Sequence, residues 1–156
     1  PPVLWDLDQY QVVARLEGHL GKAFTARFVA AGGKREILTA GSDGTVRLWD
    51  AVTGRPCNSF RGDSHFLVDA TLSPDGTVVV AGGSDGFLRF WDTSSGHLLW
   101  MLQAHRSYVI GVHYEGNDIV TRGFAGDIAR WALPSPDKII EACQASRCAP
   151  LTTAEK

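Results

Sequence analysis

One dipeptide, Trp-Asp, recurs along the chain at nearly constant spacing and restricts the fold more than any other feature. It occurs at Trp5, Trp49 and Trp91, and a fourth tryptophan, Trp131, is followed by alanine. Successive tryptophans are 44, 42 and 40 residues apart. A repeat of ~40–45 residues marked by this dipeptide is typical of successive units of four short strands. We therefore expect a series of similar small sheets.

The residues before each tryptophan predict a hairpin. Ser-Asp-Gly stands at 42–44 and again at 84–86, each time between apolar runs. Aspartate and glycine tolerate positive φ angles, so a tight turn between two strands is expected. Between this turn and Trp49, apolar and polar residues alternate with the period of two that a strand shows.

The same patterns predict strands in four groups. The first group consists of two strands near 3–6 and 11–16, which would be the last two strands of an earlier unit. The other strands are expected near residues 23–29, 37–40, 45–50 and 57–60, then near 67–72, 78–81, 87–92 and 97–102, and finally near 109–114, 118–121 and 128–131. Turns within the units are expected at 32–33 and 73–76, where glycine, proline and aspartate cluster.

These motifs resemble the repeats of the WD-repeat β-propeller family. Gly18-His19 and Ala104-His105 match the dipeptide that opens a repeat, whereas the second repeat has Asp63 at the histidine position and His65 two places later. The resemblance implies an all-β fold, namely a β-propeller of four-stranded antiparallel blades that is incomplete in this chain. The implied organisation is a propeller segment over 1–134 (blade end 3–16, blades 17–60, 61–102 and 103–134) and a C-terminal tail over 135–156.

The tail departs from the repeat. Ser135 suits a helix N-cap and Pro136 suits the first helical position, which favours a helix over 138–145. The third blade also needs an outer strand at this place, so both alternatives stay open. Residues 151–155 are similar to the short tail of many bacterial WD-repeat proteins.

The resemblance also implies a structural relay of hydrogen bonds that joins an aspartate, a histidine, a threonine and the tryptophan of one blade. The matching positions are Asp43, His19, Thr39 and Trp49 in the first full repeat, Asp85 and Trp91 in the second, and His105, Thr121 and Trp131 in the third. The relay is expected to be incomplete in two repeats, because Ala81 stands at the hydroxyl position of the second repeat and Ala125 at the aspartate position of the third. A buried indole N–H needs an acceptor, and each unmade buried hydrogen bond costs ~1–3 kcal/mol.

Three features that suggest chemistry are better explained by structure. A threonine, histidine and aspartate resemble a catalytic group, but a nucleophile needs an exposed oxygen beside an anion-stabilising pocket. Cys143 and Cys148 lack the second pair or nearby histidine of a zinc site. The glycine-rich run 82–86 lacks the lysine and hydroxyl residue of a phosphate loop. We therefore expect no enzyme activity, no cofactor and no metal.

Charge and apolar runs exclude other classes of partner. The formal net charge is -2, which argues against electrostatic binding to nucleic acid or to an anionic membrane. No apolar run approaches the ~20 residues that span a bilayer, and no signal peptide is visible at the start. Three scattered cysteines indicate no disulfide framework, so a cytoplasmic location is expected.

In the family, partners often bind the narrower end of the propeller, at the turn before the tryptophan strand and just after the opening histidine. The matching residues are Lys22, Ser42, Phe66, Ser84, Arg106, Tyr108 and Phe124. Aromatic residues and arginine dominate binding hot spots, which favours a partner-binding surface here. The alternative is that one or more of these aromatic rings packs between neighbouring blades.

Three full repeats and two strands make about three and a half blades, whereas propellers usually have four to eight. The missing blades would come from a longer chain, from another chain, or from a second copy. Because the chain begins within a blade, we expect the first arrangement.

The function that these observations favour is a non-catalytic scaffold that binds a protein or peptide. The alternatives are a C-terminal sensor or regulatory segment of a larger signalling NTPase or kinase, and a hydrolase built on a propeller, for which no cluster of acids is visible.

Overall fold

A computed structural model describes residues 1–31, 33–62, 65–132 and 138. Within these residues the chain forms thirteen strands in four sheets, and all paired strands are antiparallel. The all-β fold expected from the sequence is therefore confirmed. Asp63 lies outside the described residues, and so does the tail apart from Lys138, including the helix or outer strand considered for 138–145.

Each sheet consists of strands that are consecutive in sequence, joined by hairpin turns. The strands are β1 (Val3–Asp6) and β2 (Gln11–Arg15) in the first sheet; β3 (Ala23–Ala31), β4 (Lys34–Gly41), β5 (Thr45–Asp50) and β6 (Pro56–Arg61) in the second; β7 (Leu67–Leu72), β8 (Val78–Gly83), β9 (Phe87–Asp92) and β10 (Leu98–Gln103) in the third; and β11 (Val109–Glu115), β12 (Asp118–Gly123) and β13 (Ile128–Trp131) in the fourth. A strand is present at every predicted place. Several are longer than predicted because hairpin pairing continues to the turn, as where Ala31 pairs with Lys34.

The sheets containing β3–β6, β7–β10 and β11–β13 are the first, second and third blades. They lie face to face, and the first strand of each blade is closest to the others. Strand β7 packs against β3 and β4 of the first blade on one side and against β11 of the third blade on the other. The fold is therefore an arc of blades, in agreement with the incomplete propeller that the resemblance implies.

The apolar cores lie between blades rather than within them, and each repeat tryptophan packs on the blade before its own. Trp49 is fully buried in a cluster with Ile37 and with Leu16, which follows β2. Trp91 is fully buried against the first blade, where its ring lies 6.3 Å from that of Phe60. Burial of an indole removes ~150–250 Å² from water, so these contacts are a main source of stability.

The tryptophans at the two ends of the arc occupy the same position in their sheets as Trp49 and Trp91, but they are less buried. Trp131 packs beside Ile119 on a cluster that includes Phe90 of the second blade, and it is partly buried. Trp5 has no earlier sheet beside it in this chain, and 54% of its surface is exposed. The four tryptophans thus occupy equivalent places in successive sheets.

Register irregularities repeat from blade to blade as well. The first strand of each blade lies innermost and pairs with the second strand of the same blade. In this pairing the second residue of the inner strand is skipped, namely Phe24 in β3, Val68 in β7 and Ile110 in β11. An extra residue of this kind bends a strand and redirects its side chain. The bulge therefore changes the direction of the side chains at the beginning of every inner strand.

Candidate partner-binding face and hydrogen-bond relays

The turns that precede β5, β9 and β13 lie at the same edge of the arc as the segments that precede β3, β7 and β11. One backbone hydrogen bond joins turn and segment in every blade, with the turn residue as the N–H donor. The donor and acceptor pairs are Ser42 and Lys22 (2.8 Å), Ser84 and Phe66 (2.9 Å), and Phe124 and Tyr108 (2.9 Å). The structure thus brings six of the seven predicted partner-binding residues together in pairs, and Arg106 lies in the segment before Tyr108. We call this edge the loop face, formed by turns 42–44, 84–86 and 124–126 and segments 18–22, 65–66 and 104–108.

Four aromatic rings of the arc form two pairs at this edge. The Tyr108 and Phe124 rings are 6.0 Å apart, and the side chains are 48% and 71% exposed. The Phe66 ring lies 6.1 Å from that of Phe24, and these side chains are 46% and 47% exposed. Phe66 therefore contacts the neighbouring blade and still presents about half of its surface to solvent.

Phe24 does not follow from the sequence motifs. It belongs to β3, whereas the motif positions precede that strand, and it reaches the loop face as the bulged residue of β3. An aromatic residue at a position where the other inner strands carry Val68 and Ile110 was the available signal.

In the first blade the relay is a continuous chain of hydrogen bonds. The Trp49 indole N–H donates to Thr39 Oγ1 over 2.9 Å, and Thr39 Oγ1 lies 2.8 Å from His19 Nε2. His19 Nδ1 lies 3.0 Å from both carboxylate oxygens of Asp43. The relay therefore connects the buried tryptophan of β5 to the loop face, and its threonine is fully buried.

Asp43 also organises the loop around itself. Its carboxylate accepts the backbone N–H groups of Leu20 and Thr45, together with the Thr45 hydroxyl. Burial alone would raise the pKa of Asp43, but the hydrogen bonds from Thr45, His19 and Leu20 outweigh it and hold the pKa at about 2. The carboxylate is therefore charged at neutral pH and fixes the turn against segment 18–22.

The second blade uses a different arrangement, because Ala81 has no hydroxyl. The Trp91 indole donates instead to the backbone carbonyl of Arg61, over 3.3 Å, at the end of the first blade. Asp85 accepts hydrogen bonds from the guanidinium of Arg89, which is 1% exposed. Asp85 and Trp91, which the resemblance assigns to one relay, therefore have separate partners.

The third blade corrects one expectation. Ala125 predicts a relay without its aspartate, but Asp127 supplies the carboxylate from two positions further along and contacts His105 Nδ1. His105 Nε2 lies 2.8 Å from Thr121 Oγ1, which accepts the Trp131 indole N–H over 2.9 Å. The hydrogen bond with His105 lowers the pKa of Asp127. A carboxylate at the other end of the same short turn was the signal that motif alignment missed.

The aspartate of each Trp-Asp dipeptide has a role at the opposite edge of the arc. Asp6, Asp50 and Asp92 each accept backbone N–H groups two or three residues ahead, at 2.6–3.1 Å. These bonds close turns 7–10, 51–55 and 93–97, which we call the opposite edge. The hydrogen bonds from Thr53 lower the pKa of Asp50. The dipeptide thus places a core residue and a turn-forming residue side by side.

One polar contact connects all three blades near their inner strands. The Arg27 guanidinium of β3 donates to both carboxylate oxygens of Asp69 in β7, at 3.0 Å, and to the Val112 carbonyl of β11, at 3.3 Å. Asp69 in turn accepts the backbone N–H of Val112 over 2.8 Å. Sequence motifs did not reveal this bridge, although opposite charges on neighbouring inner strands were visible.

The described residues contain neither a metal-binding cluster nor a membrane-spanning helix. Between residues 1 and 132, outside the gaps at 32 and 63–64, no three His, Cys, Asp or Glu side chains are placed to hold a metal ion. Cys143 and Cys148 lie outside the described residues. Among the described residues, no helical segment has the length and the apolar character of a transmembrane helix.

Comparison with known families gives two matches along the chain. The family described as "WD domain, G-beta repeat" matches residues 10–50 and 54–92. These ranges include strands β2–β9 and the Trp-Asp dipeptides at 49–50 and 91–92, and together make up about half of the chain.

Individual known proteins are similar to between 46% and 89% of this chain. Cilia- and flagella-associated protein 52 of Chlamydomonas reinhardtii is 28% identical over 142 residues, which is 89% of this chain and 23% of that protein. Guanine nucleotide-binding protein subunit beta-1 of Caenorhabditis briggsae is 33% identical over 46% of this chain and 20% of its own length. Small ribosomal subunit protein RACK1 of Caenorhabditis elegans is 29% identical over 48% of this chain and 26% of its own length. The chain thus spans about a fifth to a quarter of these relatives.

Proposed function

Because the chain belongs to the WD-repeat family, we propose that it is a non-catalytic scaffold that binds a protein or peptide on the loop face. Members of this family are generally protein-interaction scaffolds. The observation that carries the proposal is the repeated hydrogen bond between turn and segment, which places the same two kinds of residue at one edge of every blade. A rigid frame with variable side chains at one edge is a common basis for recognition.

The chemistry of the relays supports a structural role rather than catalysis. Thr39 and Thr121 are buried, and each hydroxyl is occupied by a histidine nitrogen and an indole N–H. A buried hydroxyl with both partners in place has no access to a substrate carbonyl or phosphoryl group. We therefore assign Thr39, His19 and Asp43 to stability of the loop face.

The exposed ends of the arc support a proposal about assembly. Trp5 of β1 is 54% exposed and Ile128 of β13 is 72% exposed, and both belong to sheets at the ends of the arc. Apolar side chains on sheet faces associate with other surfaces. We propose that further blades cover these faces, supplied by a longer chain or by a second copy. The blade boundaries 17–60, 61–102 and 103–134 and the cytoplasmic location stay predictions.

A capture experiment tests the proposed face. The chain is immobilised, bound proteins are identified by mass spectrometry, and capture is compared for the wild type, Tyr108→Ala and Phe124→Ala. Val52→Ala is the matched control, because Val52 is 73% exposed in an opposite-edge turn. We expect both aromatic variants to lose the specifically captured proteins and the control to retain them. Unchanged capture by both aromatic variants would contradict the proposed face.

A further inference from the structure

We propose that the partner of the loop face is an acidic segment that carries an apolar or aromatic anchor residue. This inference rests on the proposed function, because it names the chemistry of the partner at the same face. It follows from an uneven distribution of charge between the surface and the interior of the loops. The chain as a whole is slightly acidic, with a formal net charge of -2, so net charge does not reveal the distribution.

The cationic side chains at this edge are exposed. Lys22 and Arg106 lie in the loop-face segments, and Arg61 ends β6 directly opposite Thr45, which follows turn 42–44. In the described part of the chain none of these three cations forms a salt bridge. Their charge is therefore available to a partner.

The carboxylates at this edge are mostly turned inward. The Asp43 side chain is 7% exposed and bound by His19, and the Asp85 side chain is 13% exposed and bound by Arg89. Asp127 is about half exposed, but it is held by His105. Most of the acidic charge in these turns is thus used internally, so among the described residues of the loop face the charge that faces solvent is mainly positive.

The aromatic pairs provide the apolar part of the surface. The exposed Phe124 ring lies beside Tyr108, and Arg106 is two residues before Tyr108. Aromatic residues and arginine are enriched among interface residues that contribute most to affinity. A partner with a single apolar side chain among carboxylates would use both features, because the anchor contacts the rings while the carboxylates face the cations.

Selection from a random peptide display library provides the test. The immobilised full chain selects peptides, and their net charge and aromatic content are compared with those of the unselected library. A parallel selection uses Phe124→Ala. We expect the wild type to enrich acidic peptides that contain a large apolar residue, and the variant to lose this enrichment.

One enriched peptide is then measured by fluorescence anisotropy against defined variants. Replacement of its Glu and Asp residues by Gln and Asn should weaken binding, and Arg106→Gln or Lys22→Gln should each weaken it by about two- to fivefold. Phe124→Ala should weaken it by at least about fivefold. Arg55→Gln is the matched control, because it removes the same charge from an opposite-edge turn, and it should leave affinity unchanged.

Salt dependence separates charge recognition from apolar contact. When the ionic strength rises from about 0.01 M to about 0.15 M, the Debye length falls from about 30 Å to about 8 Å. Affinity for the acidic peptide should fall over this range, whereas affinity for its neutral counterpart should change little.

The outcomes distinguish the two proposals. If enriched peptides are neutral or basic but still depend on Phe124, the acidic partner is contradicted and the loop face stands. If selected peptides bind with equal affinity to the wild type and to Phe124→Ala, or if no peptide is enriched, both the acidic partner and the binding role of this face are overturned.

Discussion

At the scale of single residues, one hydroxyl group holds the tryptophan and the histidine of the first blade. Thr39 Oγ1 accepts the Trp49 indole N–H and contacts His19 Nε2, and all of these atoms are shielded from water. Because a buried polar group without a partner costs about 1–3 kcal/mol, this position is sensitive to replacement.

We expect Thr39→Val to lower the free energy of unfolding by about 2–4 kcal/mol, because it leaves two buried groups without their partner. Urea denaturation of the purified chain measures the change. Thr71→Val is the matched control, since Thr71 is 6% exposed and its hydroxyl has no hydrogen-bond partner among the described residues. The control should cost less than about 1 kcal/mol. Equal losses for the two variants would contradict the role of the relay.

Asp43 makes stability depend on pH in a defined window. Its pKa is about 2 in the folded chain, against its usual value of 3.8. A lowered folded pKa means that its contribution is fully present above pH 3.8 and is lost as the pH falls through about 2. In Asp43→Asn this contribution is absent. The difference in unfolding free energy between wild type and variant should therefore be constant above pH 3.8 and shrink below it. A difference that stays constant down to pH 2 would contradict this account.

At this scale the sequence motifs predicted which residues take part in the relays better than they predicted the hydrogen-bond partners of those residues. Trp49, Thr39, His19 and Asp43 make the contacts that the family resemblance implies. Asp127 was missed because an alignment compares positions, whereas a carboxylate two residues away in a short turn can reach the same atom.

At the scale of strands and turns, the hairpin turns of the loop face depend on glycine for a spatial as well as a conformational reason. Gly86 has a φ of +85°, and its carbonyl accepts the backbone N–H groups of Ala104 and His105 in segment 104–108. A Cβ at Gly86 would lie 2.9 Å from the Ser107 carbonyl oxygen and would contact the His105 carbonyl oxygen even more closely.

We expect Gly86→Ala to be more destabilising than Gly116→Ala by about 1–3 kcal/mol. Both glycines have positive φ, at +85° and +61°, so backbone strain affects both variants. A Cβ at Gly116 has no neighbouring atom within 4 Å, so the comparison isolates the clash with segment 104–108. The measurement is thermal unfolding of the two variants. Equal destabilisation would show that the turn and the segment are not in close contact.

The strands themselves followed from the sequence because alternation and turn residues are local signals. The predicted and observed bounds agree for β1, β5, β7, β9 and β13, and the other strands differ only at their ends. The bulge at Phe24 was not predictable in the same way, because a bulge is defined by pairing with a partner strand and leaves no regular pattern in one strand.

At the scale of the whole molecule, the blades are joined by apolar contacts and by one polar bridge. Arg27 and Asp69 belong to blades one and two and both reach Val112 in blade three. Such contacts between distant parts of the sequence cannot be derived from local patterns, because they depend on how the blades are packed. The number of blades could be predicted from the repeat period, whereas the polar bridge depends on how the blades pack against each other.

We expect the chain to self-associate when it is produced alone, because apolar side chains such as Trp5 and Ile128 are exposed on the sheets at the two ends of the arc. Two copies contain enough residues for about seven blades at ~44 residues each. Multi-angle light scattering at micromolar concentration measures the mass. A monomeric mass of 16.9 kDa would contradict this expectation.

Hydrogen–deuterium exchange with and without a bound partner tests the central proposal, that the loop face is where partners bind. The probe is the acidic peptide enriched from the library, or a protein recovered by capture. We predict slower exchange in the loop-face turns and segments, with no change in turns 51–55 and 93–97 at the opposite edge. Protection confined to the opposite edge, with unchanged exchange at the loop face, would contradict the account.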